Sequence, residues 1–147
     1  MKIFILGANG QLGKELVKKS PSAFEISSFS KNEFNLSELD FCKDKILDLK
    51  PNWIINAAAY TQVDKAEEDI KTAYKINTTA VELLAKTVSS YGGRLLQIST
   101  DFVFDGMQSK PYSPKDICNP INVYGQTKLM GEKLSLKFKG TIVLRTS

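Results

Sequence analysis

With 147 residues, 42% of them apolar and 24% charged, the chain is long enough to bury a substantial core in one domain and is ordinary in polarity for a globular protein. It contains no histidine, which excludes Ser-His-Asp and Cys-His catalysis and imidazole metal sites, and its two cysteines, Cys42 and Cys118, show no CxxC spacing, so no metal and no disulfide framework are expected and a reducing cytoplasm is the expected location. The formal charge of +4 comes from lysines spread along the chain, and no apolar run reaches membrane length, so neither nucleic acid nor a membrane is an expected partner.

The chain opens MKIFILGANGQLGK. Ile3, Phe4, Ile5 and Leu6 form a continuous apolar run, the signature of a strand buried on both faces of a parallel sheet. Gly7, Gly10 and Gly13 follow as G-x-x-G-x-x-G, and Leu16 and Val17 open a helix that Pro21 stops. Strand, glycine turn and helix is the context of a phosphate cradle. Gly7 permits the sharp turn, Gly10 lets the backbone approach a pyrophosphate, and Gly13 lets the helix pack close to the strand. The helix N-terminus then offers free N–H groups and partial positive charge to an anion.

A second strand is expected near residues 24–29. Ser37-Glu38-Leu39-Asp40 reads as a capping box opening a helix that runs to about Lys50. Pro51-Asn52 turns the chain into a third buried strand at residues 53–55, and Asn56 and three alanines follow it. Ile70, Ala73, Tyr74, Ala80, Val81, Leu84 and Val88 recur at helical spacing, with Gly92-Gly93 as the stop. Asn77 sits inside that apolar stripe, where its amide needs partners; a helix–sheet clamp and a holder of active-site backbone are both open readings. Residues 94–99 form a fourth strand, residues 101–119 a long polar loop of the kind that is more often functional than idle, residues 122–138 a helix, and residues 141–145 a fifth strand. The order βαβαβαβαβ implies an α/β fold of Rossmann type: a doubly wound parallel sheet with helices on both faces and ligands at the carboxyl ends of the strands.

Tyr124 and Lys128 form Y-x-x-x-K, and i, i+4 residues share a helix face. An ammonium beside a phenol favours the phenolate and lowers its pKa, which makes the phenol usable in proton transfer near neutral pH. Ser99 and Thr100 end the fourth strand, where a hydroxyl can hydrogen-bond a substrate carbonyl. In a chain without histidine, Tyr124, Lys128 and Thr100 are the best acid–base set.

G-A-N-G-Q-L-G, N-A-A-A-Y-T-Q-V-D-K-A-E, S-T-D-F-V-F-D-G and N-V-Y-G-Q-T-K-L-M-G-E resemble the extended short-chain dehydrogenase/reductase superfamily, and within it the dTDP-4-dehydrorhamnose reductase family, in order along the whole chain. The resemblance implies hydride transfer from NADPH or NADH to the C4 ketone of a sugar nucleotide. It implies that Tyr124 protonates the forming alkoxide, Lys128 tunes Tyr124 and holds the nicotinamide ribose, and Thr100 polarises the ketone. It places Gly7, Asn9, Gly10, Gln11, Leu12 and Gly13 on the pyrophosphate, and Ala57, Ala58, Ala59, Tyr60 and Ser99 along the cofactor. Asn35 and Leu36 fall near the adenine, and Thr61, Val63, Asp101 and Phe102 near nicotinamide or sugar.

Ser30 and Lys31 end the second strand where an acidic residue would favour NAD, so a 2′-phosphate and NADPH are the expectation. Phe102 stands where the family has tyrosine, and Asn35 where it has aspartate. Family members continue for about as many residues again, so residues 1–147 are expected to be the dinucleotide-binding half, without the part that supplies most of the sugar-nucleotide pocket and poorly active alone. A homodimer is a further expectation. Two alternatives share these motifs: another sugar-nucleotide ketoreductase or epimerase, and a non-catalytic regulatory subunit resembling the β subunit of methionine adenosyltransferase.

Overall fold

The computed structural model describes residues 1–147. Five strands, β1 (Lys2–Leu6), β2 (Glu25–Phe29), β3 (Trp53–Asn56), β4 (Arg94–Thr100) and β5 (Thr141–Thr146), form one wholly parallel sheet in the order β2-β1-β3-β4-β5. The strand order reverses between β1 and β3, and a ligand crevice belongs at such a point, outside the carboxyl ends of the strands. Gly7, Ala57 and Asp101 each follow the last residue of a strand at that end.

Register sorts the side chains into two layers. Phe4, Ile54 and Leu95 lie in one row, and Leu6, Asn56 and Gln97 in another on the same face. The first row and Leu6 join Ile46 of α2 (Leu39–Leu49) and Leu84, Ala85 and Val88 of α5 (Ala80–Ser89) in the main core. Each fully buried aliphatic side chain there contributes roughly 1.5–3 kcal/mol. The opposite face carries Ile3, Ile5 and Ile55, with α1 (Gln11–Lys18) over β1 and an apolar groove alongside lined by Leu12, Leu16, Phe24 and Ile26. No helix of the structure is long and apolar enough to cross a membrane.

Several local details differ from the sequence reading. The capping box at Ser37 does not form: Glu38 occupies the N-cap of α2, and its side chain makes no capping bond to the helix. Asn35 takes the local partners instead, accepting from the Ser37 N–H at 3.1 Å and donating to Glu38 at 3.0 Å. The apolar stripe from Ile70 is not one uniform helix. It comprises α4 (Ile70–Tyr74), a π-helical turn (Lys75–Thr79) and α5, and a short helix, α3 (Val63–Glu68), precedes it. The long loop after β4 begins with a 3-10 turn (Asp101–Val103). The last helix, α6 (Val123–Ser135), is capped by Asn122, whose side chain accepts from the Gly125 N–H at 2.7 Å, and by Glu67 of α3, which accepts from the Val123 N–H at 2.8 Å.

Candidate active site

The glycine turn is built as its spacing requires. Gly7 has φ +79°, and a Cβ there would sit 2.8 Å from the Ala58 nitrogen. Only a residue without a side chain joins this left-handed turn to so close a neighbour. A Cβ on Gly13 would strike the Gly7 carbonyl, so α1 packs directly on the turn that precedes it. Gly10 is the N-cap of α1 and closes the turn through its N–H, which donates to the Gly7 carbonyl at 2.9 Å. Its missing Cβ would meet only that same carbonyl, so its other side is open to a ligand.

A cleft of about 360 Å³ lies in front of this turn. Gly7, Asn9 and Gly10 form one wall; Lys31, Asn35 and Leu36 form the far end; Ala57, Ala58, Ala59, Tyr60 and Thr61 form the opposite wall. Eleven residues read from the sequence therefore meet in one concavity at the switch point. Phe34, Gln62 and Ile76 also line it and were not singled out. Phe34 and Ile76 look like ordinary core residues in a linear reading, because their apolar character satisfies both roles.

The remaining candidates fall elsewhere. The side chain of Leu12 lines the groove on the other side of the sheet, because the first turn of α1 rotates it toward Ile3 and Ile5. Gln11 is exposed on the same turn, and Val63 starts α3 outside the cleft lining. Ser30 points at a residue that the sequence reading passed over: its N–H and hydroxyl donate to the Glu33 carboxylate at 2.8 and 2.6 Å. Those bonds hold the Glu33 carboxyl below its usual range, so it is firmly anionic. Of the two residues expected at a 2′-phosphate, Lys31 is the one that reaches the cleft.

The wall at residues 57–61 is held by amides. Asn56, fully buried, donates to Gln97 at 2.7 Å and accepts from the Ala58 N–H at 3.2 Å. Asn77 accepts from the Tyr60 N–H at 2.9 Å and donates to the Tyr60 carbonyl and the Thr127 hydroxyl, both at 3.1 Å. Asn77 holds cleft backbone and ties it to α6; none of its side-chain bonds reaches a strand, so it is a loop–helix clamp rather than the helix–sheet clamp expected. The clamp works because the π-helical turn carries Asn77 at its centre and because Gly131 of α6 lies against the Asn77 carbonyl.

Thr100, Asp101, Phe102 and Tyr124 come together at the end of β4. The Thr100 hydroxyl donates to Asp101 at 3.1 Å and accepts from the Phe102 N–H at 3.2 Å. The Phe102 ring meets the Tyr124 ring edge-on at 5.5 Å. Ser99 is buried beside them with its hydroxyl unpaired. Lys128 is one turn along α6 and 5% exposed, and its Nζ donates to the Ile98 carbonyl at 2.6 Å.

This corrects one expectation. The phenol of Tyr124 is raised above its ordinary pKa, chiefly by burial and further by the Asp101 charge, with the neighbouring Thr100 side chain pulling the other way. Helical spacing brings the two Cβ atoms together, but the four-carbon arm of Lys128 carries its charge to a carbonyl of β4. Burial in turn lowers Lys128 to about 8, against the pull of Glu132.

The chain matches the family described as the RmlD substrate binding domain over residues 1–147. It is 40% identical over 99% of its length to the dTDP-4-dehydrorhamnose reductase of Aggregatibacter actinomycetemcomitans, covering 51% of that protein. The crystal structure of a dTDP-4-dehydrorhamnose reductase from Clostridium acetobutylicum is similar at TM-score 0.96 and 39% identity, over all of this chain and 53% of that one. The Bacillus anthracis dTDP-4-dehydrorhamnose reductase, solved in complex with NADP, is similar at TM-score 0.94 and 34% identity, over 99% of this chain and 53% of that one. The chain thus spans about half the length of the relatives it matches.

Proposed function

This chain belongs to the RmlD substrate binding domain family, and from that premise we propose that residues 1–147 are the dinucleotide-binding half of an NADPH-dependent reductase that converts the C4 ketone of dTDP-4-dehydrorhamnose to the alcohol. The observation that carries the reading is the cleft itself: a glycine turn, a helix N-terminus and a lysine line one concavity at the switch point. That set fits a dinucleotide, with open space beside Gly10 for a pyrophosphate and Lys31 for a 2′-phosphate.

A bound reduced nicotinamide would supply the hydride that the ketone carbon accepts. The proton transfer at the ketone oxygen falls to side chains of this chain. The Thr100 hydroxyl polarises the ketone oxygen, and the Tyr124 phenol gives its proton to the alkoxide as charge develops. A phenol kept neutral by burial is in the right form for that donation. Lys128 holds the ribose, its ammonium being directed at β4 rather than at the phenol. Asn77 and Asn56 keep the alanine wall at the distance a flat ligand needs.

Calorimetric titration of the 147-residue chain with NADPH and NADH tests the cofactor half of this reading. Binding of at least one at micromolar to millimolar concentration is the expected result, and no binding of either overturns it. A protein carrying both halves, assayed on a panel of 4-keto sugar nucleotides, tests the substrate. Selective oxidation of NADPH with dTDP-4-dehydrorhamnose is expected; equal turnover of the whole panel would favour a related ketoreductase or epimerase. We extend the proposal to a cytoplasmic homodimer, which sedimentation of that longer protein checks.

A further inference from the structure

One ion pair between a buried carboxylate and a half-buried guanidinium has no part in the chemistry above. Glu132 of α6 is 2% exposed and takes both arms of a guanidinium: Arg145 Nε lies 3.0 Å from Oε1 and 3.2 Å from Oε2, and its Nη2 lies 2.6 Å from Oε2. Arg145 stands on β5 opposite Ser99 of β4, with its guanidinium 5.1 Å from the centre of the Phe104 ring. The pair therefore ties α6 to β5 and to the loop that follows Thr100. A packed apolar pair joins two elements as well or better, since taking a carboxylate out of water is costly. Adhesion alone does not account for Glu132 and Arg145.

Their placement suggests another role. Tyr124, Lys128 and Glu132 follow one another at i, i+4 and i+8, so a phenol, an ammonium and a carboxylate run up one side of α6. The ammonium in the middle is buried and bound to a carbonyl, with no carboxylate within salt-bridge distance. The other ionisable groups along α6 are Tyr124 on the same helix, Glu67 of α3 at the helix N-terminus, Asp101 after β4, Arg145 on β5 and Cys118 in the loop. Asp101 acts on Tyr124 and Cys118 on Arg145. Only the Glu132 carboxylate offsets the burial of Lys128.

We propose that Glu132, held in place by Arg145, is a positioning residue for Lys128: its fixed negative charge keeps the buried ammonium protonated and directed at the Ile98 carbonyl. The use of that ammonium at a ribose rests on the function proposed above; the electrostatic coupling does not. A negative charge near a lysine favours its charged form, so loss of Glu132 makes Lys128 release its proton at lower pH.

The test is the titration of Lys128 itself, followed by NMR in protein labelled at lysine Cε, with Lys128→Arg used to assign the signal. The wild-type midpoint is expected near 8. Glu132→Gln keeps the shape and an acceptor for Arg145, and should lower the midpoint by about one pH unit. Glu132→Asp restores the charge and should return the midpoint toward wild type, whereas a merely structural role would weaken the fold in both variants without moving it. Should Glu132→Gln fail to fold, the double variant Glu132→Gln/Arg145→Gln removes both charges together and is expected to move the midpoint in the same direction. An unchanged midpoint in a folded variant overturns the proposal, whatever the dinucleotide titrations show. Absent dinucleotide binding with a shifted midpoint overturns the functional reading and leaves this coupling standing.

Discussion

Lys31 and Lys128 put two cations to different uses. Lys31 lines the far end of the cleft, while the donors of its neighbour Ser30 are occupied by Glu33. Lys31→Ala is therefore expected to weaken NADPH binding about tenfold, the scale of one charge-assisted contact, and to leave NADH within about twofold. Parallel titrations with the two dinucleotides check this. Lys128 predicts two opposite pH trends. Its folded value of about 8 lies below the ordinary 10.5, so between those values the unfolded chain binds more protons than the folded one. Stability conferred at this site is lowest below pH 8 and rises with pH through that window. Urea unfolding at pH 7.5 and 9.5 should show wild type gaining on Lys128→Met, a comparison in which the opposing contribution of buried Cys42 cancels. Dinucleotide affinity should fall over the same window, because the cation proposed to hold the ribose is being discharged.

Among the elements, the π-helical turn and α6 depend on each other. Asn77 offers its amide to Tyr60 and Thr127 from the π-helical turn, and Thr78 donates to the Thr127 carbonyl at 2.7 Å. Asn77→Ala leaves the Tyr60 backbone groups and the Thr127 hydroxyl without that partner, with an expected cost of about 2–4 kcal/mol. A lower denaturation midpoint with an unchanged slope would report it. Gly131→Ala drives a Cβ into the Asn77 carbonyl, so it should prise the same contact apart and weaken dinucleotide binding through Tyr60. Periodicity alone placed Asn77 on a buried stripe; it did not reveal that part of that stripe is π-helical. The helix at residues 63–68 escaped for a simpler reason. Its six residues include four charged ones, and its only buried side chain is Ala66, so it has no apolar stripe to read.

At the scale of the molecule, the two faces of the sheet are unequal. Ile54 is fully buried beneath α5, whereas Leu144 of β5, on the opposite face, is 52% exposed. Ile54→Ala should cost about 2–5 kcal/mol and Leu144→Ala under about 1 kcal/mol, which chemical denaturation of the two variants distinguishes. By itself the sequence determined the five strands and the glycine turn that follows the first, because each rests on a pattern within a few residues of chain. Tertiary structure alone decided what depends on side chains meeting across distant segments. It placed β1 between β2 and β3, turned Leu12 away from the cleft, set Glu33 on Ser30, and drew the Lys128 charge to β4 and its carboxylate neighbour to β5. Those partners are chosen by packing and by the need of buried charges for company, and neither leaves a period in a linear chain.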